Sequence, residues 1–416
     1  MLGKNKIEHF TYGEREIIVD EEYQICISVK KEDFDERALN YNESSIMKAI
    51  NVKRSWMKRN QNQVNSVYLL ITEKCNLSCR FCSLKVDKHS SNENINLENF
   101  ESRLLPLLKE INPRKIIITG GEPFMNKDVL YILKKVKEIL PETYILLQSN
   151  GFLLEHEEHI EELSHLINHI EISSSHYNDL KQLEHIIERL HQYHIDVCLS
   201  FITDGTLERL DNIIDFVVQN QVAFLLNFVT PLGSAVDNDV PILSFDCRLN
   251  ILKHIFEYVL ENDYIGYHFL DLVKTNINVQ NSCSALGKTM AIHPDGNCYI
   301  CHSMHDQDCY IGNYKSMEIV DVMKAWQRLI KNPKTINIFS VDGSDKCKSC
   351  NLRYLCGGLC AATKQNETYS EACCQSQKFM LALNLLYFEN GNNERENMLR
   401  FVELCDHKEE LINIPV

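Results

Sequence analysis

The sequence predicts an α/β protein: a partial (β/α)6 barrel with a small α+β segment before it and a cysteine-rich region after it. Three observations support this. From residue 66 onward, short β-branched runs alternate with stretches of helical period. The connections are short, which favours a parallel sheet in an incomplete barrel. The alternation then stops, and ten of the 17 cysteines fall between residues 276 and 375.

Residues 1–64 read as an accessory segment. "EREIIVDEEYQICISV" suggests two short strands and "RALNYNESSIMKAI" a helix behind them. The barrel strands are expected at Val67–Ile71, Lys115–Thr119, Tyr144–Gln148, His169–Ile172, Asp196–Phe201 and Ala223–Val229. Helical stretches such as "DVLYILKKVKEIL" and "LERLDNIIDFVVQN" separate them, and Pro106 should kink the helix that contains it. These readings divide the chain into 1–64, a barrel at 65–247, a helical bridge at 248–275, the cysteine-rich part at 276–380 and a helical tail at 381–416. The cysteine-rich part is poor in apolar runs, so metal sites are expected to staple it.

Lys plus Arg number 43 and Asp plus Glu 58, a net charge of −15. Such a chain should repel nucleic acid and anionic lipid, so neither is expected as a partner. The N-terminus has no apolar signal core and no run approaches a membrane span, which reads as a soluble, cytoplasmic protein. An odd total of 17 cysteines suits metal binding or packing better than disulfides. "HEEH" at 156–159 reads as a solvated helix face rather than a metal site.

Residues 72–82, "TEKCNLSCRFC", hold Cys75, Cys79 and Cys82 in a C-x3-C-x2-C spacing. A [4Fe–4S] cluster takes four thiolates, so three leave one iron open for another ligand. Structural zinc favours paired C-x2-C arms, and only one such arm is present here. In β/α barrels the active site collects at the C-terminal ends of the strands. The cysteine loop follows the first expected strand. "TGGEPF" (Thr119–Phe124) follows the second, "SNG" the third, "SSSH" the fourth and "TPLG" the sixth. Gly120 and Gly121 permit close backbone approach, and Glu122 offers a carboxylate to an ammonium.

From Val67 to Val229 these motifs resemble the radical S-adenosylmethionine enzymes, whose partial barrel is TIM-like. The resemblance implies that Cys75, Cys79 and Cys82 hold a catalytic [4Fe–4S] cluster and that Phe81 lies against the adenine. It also implies that Gly120, Gly121, Glu122 and Pro123 bind the methionine amino group. Asn150 and Ser173 are candidates for ribose or carboxylate contacts, although strand-end turns use the same residue types. His176 ends a strand on the same rim, where a substrate or cofactor contact is open to it.

Downstream, Cys283, Gly296 and Cys301 are spaced C-x12-G-x4-C. Cys347, Cys350, Cys356 and Cys360 follow as C-x2-C-x5-C-x3-C, then Cys373 and Cys374. Alone, this run could also suit zinc. With the upstream loop it resembles the SPASM extension, which carries two auxiliary iron–sulfur clusters. The resemblance implies an outer cluster on Cys347, Cys350, Cys356 and either Cys373 or Cys374. The inner cluster would use Cys283, Cys301 and Cys360. No cysteine stands just upstream of Cys283. Cys298 or Cys309 could close the inner cluster, or an open iron there could bind a substrate thiolate. His302 stands where sulfatase-maturing relatives are expected to have an acidic base, and can itself accept a proton.

The resemblance implies maturation of a ribosomally made precursor peptide through a thioether or carbon–carbon crosslink. The leader of that peptide would add to a strand edge in residues 1–64. Flavodoxin or ferredoxin would supply electrons. The alternatives are a sulfatase-type maturase oxidising a Ser or Cys side chain, and a non-catalytic iron–sulfur carrier or zinc-binding adaptor.

Overall fold

The computed structural model describes residues 7–20, 25–34, 63–85, 93–154, 157–275, 277, 279–388 and 393–414. The helix expected at 37–50 and the histidines of "HEEH" lie outside what it describes. Near the N-terminus β1 (Ile7–Tyr12), β2 (Arg15–Asp20) and β3 (Ile25–Lys30) form an antiparallel sheet in that order. Two of these strands match the sequence reading, and β1 adds a third.

The barrel strands are β4 (Ser66–Leu70), β5 (Lys115–Thr119), β6 (Tyr144–Ser149), β7 (His169–Ser173), β8 (Asp196–Thr203) and β9 (Ala223–Phe228). All six pair in parallel and in sequence order. Alternation decides which side chains go where. Val67, Leu69, Ile116, Ile118, Ile145, Leu147, Ile170, Ile172 and Leu199 are wholly buried on one face. The inner face carries Tyr68, Gln148, Glu171 and Cys198, all only partly buried.

Helices cover the apolar face. Leu180–Gln192 buries Leu183, Ile186, Ile187 and Leu190, the i, i+3, i+4, i+7 stripe of an amphipathic helix. Asp179 caps it by accepting from the Lys181 N–H at 3.0 Å. The irregularity expected at Pro106 takes another form. A π-helical turn, Phe100–Leu104, precedes the helix Leu105–Ile111, and Pro106 sits in that helix's first turn, where its missing N–H is tolerated.

The cysteine-rich part does not rely on metal alone for a core. Its strand β10 (Thr289–Ile292) pairs in parallel with β4, and β11 (Asn297–Tyr299) and β12 (Tyr310–Asn313) extend the sheet antiparallel. The result is one nine-stranded sheet, open rather than closed. Ile292, Ile300 and Trp326 join the same buried cluster as the barrel residues. The helix Glu367–Ala382 then runs on through the position where the tail was expected to begin. Among the described residues, no helix is long and apolar enough to cross a membrane.

Candidate active site and cysteine clusters

The loop after β4 is pinned to the ends of neighbouring strands. Thr72 O accepts from the Gly121 N–H at 2.9 Å, and Lys74 O from the Glu122 N–H at 2.8 Å. Gly120 has φ +136, and a Cβ there would lie 2.4 Å from Thr72 O. Its glycine therefore serves close approach to the cysteine loop, a use the ligand-centred reading of the motif missed. Gly233, in the stretch after β9, has φ +56, and a Cβ on it would meet Cys82 O at 2.3 Å. The Ser234 N–H donates to that same carbonyl at 2.8 Å.

Glu122 is fully buried. Its carboxylate accepts from the Asn150 N–H at 2.8 Å, the Ser149 hydroxyl at 2.9 Å and the Phe124 N–H at 3.2 Å. Burial pushes its pKa up to about 7, against the lowering effect of these donors. Glu122 thus ties β5 to β6. The Asn150 side chain donates to Asn76 Oδ1 at 2.7 Å, joining the end of β6 to the cysteine loop. Asn126 is equally buried and donates to Ile71 O at 2.9 Å. Neither Asn76 nor Asn126 carried a sequence signal. Pro123 is buried in the turn after Glu122, and Ser173 ends β7 on the rim.

The three thiols of the loop share one field. Burial, then Cys82 and Cys75, push Cys79 up to about 12, and burial is also the main cause of the rise at Cys75. Metal ligation by these cysteines would require thiolates, so binding would release protons. His176 approaches Cys79 Sγ with Nε2 at 3.5 Å, and its ring stacks on Phe81 with centroids 5.5 Å apart. Burial and then Arg209 hold that imidazole below its usual range.

The downstream cysteines sort into two sets. Cys301 is pushed up to about 11 by burial, with Cys283 and Cys360 adding to the rise. These are the three cysteines expected at the inner cluster. Of the two candidates to close it, Cys309 is raised by burial, then by Asp306 and Cys301, and Cys298 is fully buried with its Sγ 3.7 Å from Gly296 O. In the outer set, burial and then Cys374, Cys347 and Cys350 raise Cys356 to about 12. Cys350 and Cys374 line one cavity of about 290 Å³. Cys373 faces elsewhere: it accepts from Arg248 Nη1 at 3.3 Å and lines a separate cavity of about 260 Å³ with Phe228 and Leu226.

Between the inner set and the barrel's inner face lies Tyr68. Its ring stacks on His302 with centroids 4.1 Å apart. Burial raises Tyr68, with Cys301, Glu171 and Cys283 adding to it. One edge of His302 is exposed, yet the surrounding walls and His305 lower its pKa. A cavity of about 1320 Å³ lies away from this chemistry. It runs between the N-terminal sheet, at Gly13, Lys30 and Lys31, and the C-terminal residues Leu386, Tyr387 and Phe388.

Cys75, Cys79 and Cys82 thus stand in one loop on the C-terminal rim of a partial parallel barrel, beside a glycine-rich turn. Residues 69–217 match the Radical SAM superfamily, and the chain carries a domain of that superfamily. Curated relatives include the GTP 3',8-cyclase of Campylobacter curvus, 33% identical over 95 residues. The match covers 22% of this chain and 29% of that protein. The GTP 3',8-cyclase of Desulforamulus reducens is 35% identical over 94 residues, 22% of this chain and 28% of its own length. The chain therefore spans less than a third of these relatives. Among solved structures, Streptococcus suis SuiB bound to S-adenosylmethionine is similar at TM-score 0.55 and 15% identity, over 88% of this chain and 97% of that one. Native anSMEcpe with bound AdoMet is similar at TM-score 0.59 and 17% identity, over 82% and 99%. At these identities the likeness is one of fold.

Proposed function

We propose that the chain is a radical S-adenosylmethionine enzyme that crosslinks a ribosomally made peptide through a thioether or carbon–carbon bond. The observation that carries the radical chemistry is the placement of Cys75, Cys79 and Cys82 in one loop hydrogen-bonded to the barrel rim that Glu122 and Asn150 hold together. When bound there, the cluster and S-adenosylmethionine supply an electron that breaks the sulfur–C5′ bond, and a 5′-deoxyadenosyl radical that takes a substrate hydrogen. The chain's own residues position and enclose that chemistry. Phe81 offers a ring to the adenine, and the backbone at Gly120 and Gly121 lies open to the amino group. Glu122 fixes that turn rather than meeting the ammonium, because it is wholly buried and already accepts three hydrogen bonds from the turn and β6.

The C-terminal cysteines would hold two auxiliary clusters, the inner on Cys283, Cys301 and Cys360, the outer on Cys347, Cys350, Cys356 and Cys374. Among the described residues, no three His, Cys, Asp or Glu side chains converge tightly enough for a single ion. Tyr68 and His302 stand between the inner set and the lumen, where a substrate proton can be taken up.

A peptide substrate is supported by fold likeness to SuiB bound to precursor peptide SuiA and to anSMEcpe bound to the Cp18Cys peptide. The leader would add to the β3 edge, beside the large groove lined by Lys30 and Lys31. Flavodoxin or ferredoxin would deliver the electron. The rival reading, sulfatase-type oxidation of one side chain, draws on the anSMEcpe likeness; a neutral His302 would then replace an acidic base.

Anaerobically reconstituted protein, given dithionite and S-adenosylmethionine, should release 5′-deoxyadenosine, and the Cys75, Cys79 and Cys82→Ala protein should not. Iron should approach about twelve atoms per chain. Failure of the wild type to release the nucleoside removes the reading. With a candidate precursor peptide, loss of two hydrogens with no aldehyde that a hydrazide reagent can trap would mark crosslinking; a trappable aldehyde would mark formylglycine, because oxidation of Ser also removes two hydrogens.

A further inference from the structure

The N-terminal sheet does more than offer an edge. Tyr12, the last residue of β1, is 1% exposed, and its hydroxyl is buried without a hydrogen-bond partner among the described residues. A buried hydroxyl left unpaired costs about 1–3 kcal/mol, so the site calls for an acceptor. Tyr12 lines the same 290 Å³ cavity as Cys350 and Cys374, together with Lys346 and Lys378. Burial, then Tyr387 and then Cys350, push the pKa of its hydroxyl up.

The sheet is also fastened at this place. Glu8 of β1 pairs with Arg353, which stands between Cys350 and Cys356 and also reaches Asp342. A Cβ on Gly13 would press on Leu386 at 3.1 Å, so the β1–β2 turn packs closely on the C-terminal segment. A hydroxyl held this firmly has little freedom to seek water. An anion in the cavity, flanked by two lysines, would supply the missing acceptor.

We infer that Tyr12 donates a hydrogen bond to the outer auxiliary cluster, through Cys350 or a cluster sulfide, and that the N-terminal sheet forms one wall of that cluster's cavity. The inference rests on the outer cluster proposed above. The sheet then has two roles, because the element that would take the leader also sets the environment of a redox centre. A hydrogen bond to a cluster sulfur stabilises the reduced, more negative state and raises the potential.

The test uses full-length protein with Cys75, Cys79 and Cys82→Ala, reconstituted anaerobically, so that only auxiliary clusters give signals. Iron and sulfide are counted and each cluster's midpoint is read by paramagnetic-resonance redox titration, with and without Tyr12→Phe. The expected result is a more negative midpoint for one cluster, the one lost in Cys350→Ser, with the other unchanged. Loss of that cluster alone in Tyr12→Phe, with the other retained, supports the inference equally. Two unmoved midpoints at full iron content overturn it and leave the outer cluster standing. Absence of both auxiliary signals before Tyr12 is touched overturns the cluster reading and the inference with it.

Discussion

The rim cysteines and the C-terminal cysteines reach similar ends by opposite routes. Cys75, Cys79 and Cys82 come from one loop, and hydrogen bonds from three other strand ends fix it: Gly121 and Glu122 after β5, Asn150 after β6, Ser234 after β9. The outer and inner sets gather cysteines scattered from Cys283 to Cys374. Those cysteines are brought together by the β10–β12 extension and by helices sharing the barrel core. A loop held by backbone geometry is sensitive to small steric changes in its supports. A set assembled by packing is sensitive to which side chain points inward.

The sharpest way to break this contrast is Gly233→Ala. The new Cβ would press into Cys82 O and Ser83 O at 2.3 and 2.5 Å, from a backbone at φ +56 that favours glycine. Loss of the first cluster is expected: about four fewer irons per chain and no 5′-deoxyadenosine, with auxiliary signals retained. Full iron content would show that the loop tolerates movement and that its backbone supports are incidental.

Next in size is the adjacent pair in the packed region. Cys374→Ser should remove about four irons, because Cys374 lines the cavity with Cys350. Cys373→Ser should remove none, because Cys373 is engaged by Arg248. Equal losses from both variants, measured by iron assay and redox titration, would mean that the inward and outward faces of the helix Glu367–Ala382 have been misassigned.

What the sequence made legible follows the same division. All six barrel strands were readable from alternating and β-branched runs, with ends within about two residues, because burial on one face imposes a pattern on every strand. The cysteine loop was readable because its ligands are close in the chain. The choice between Cys373 and Cys374 was not, since one residue along a helix turns the side chain about 100° and only the neighbours decide which faces the cavity. Tyr12 was equally hidden: nothing in "HFTYGE" marks a tyrosine that will line a cavity with Cys350. The addition of β10 to the barrel edge was hidden too, because a four-residue strand pairing more than 200 positions away has no local signature. Glu122 stood out in the sequence as a carboxylate for an ammonium, but its engagement by Ser149 and Asn150 had no signal there, because it depends on β6 arriving beside it.

The smallest effect tests that engagement. Glu122 has its pKa raised from 4.5 to about 7 by burial, so the folded state holds a proton that the unfolded chain gives up at lower pH. The sign follows from linkage. The contribution of this group to stability is fully present below 4.5 and is lost as pH rises through about 7. At about 1.4 kcal/mol per unit, the drift amounts to about 3 kcal/mol relative to a residue that does not titrate. Wild type should therefore lose thermal stability against Glu122→Gln between pH 5 and 8, by a few degrees in Tm for a chain of this size. Infrared difference spectra of the same pair should show a protonated carboxyl band vanishing near pH 7. A band already absent at pH 5 would mean that the three donors outweigh burial and hold the carboxylate ionised. The rim would then present a fixed negative charge behind Gly120 and Gly121, and Glu122 would be free to act on a cationic ligand through the turn it supports.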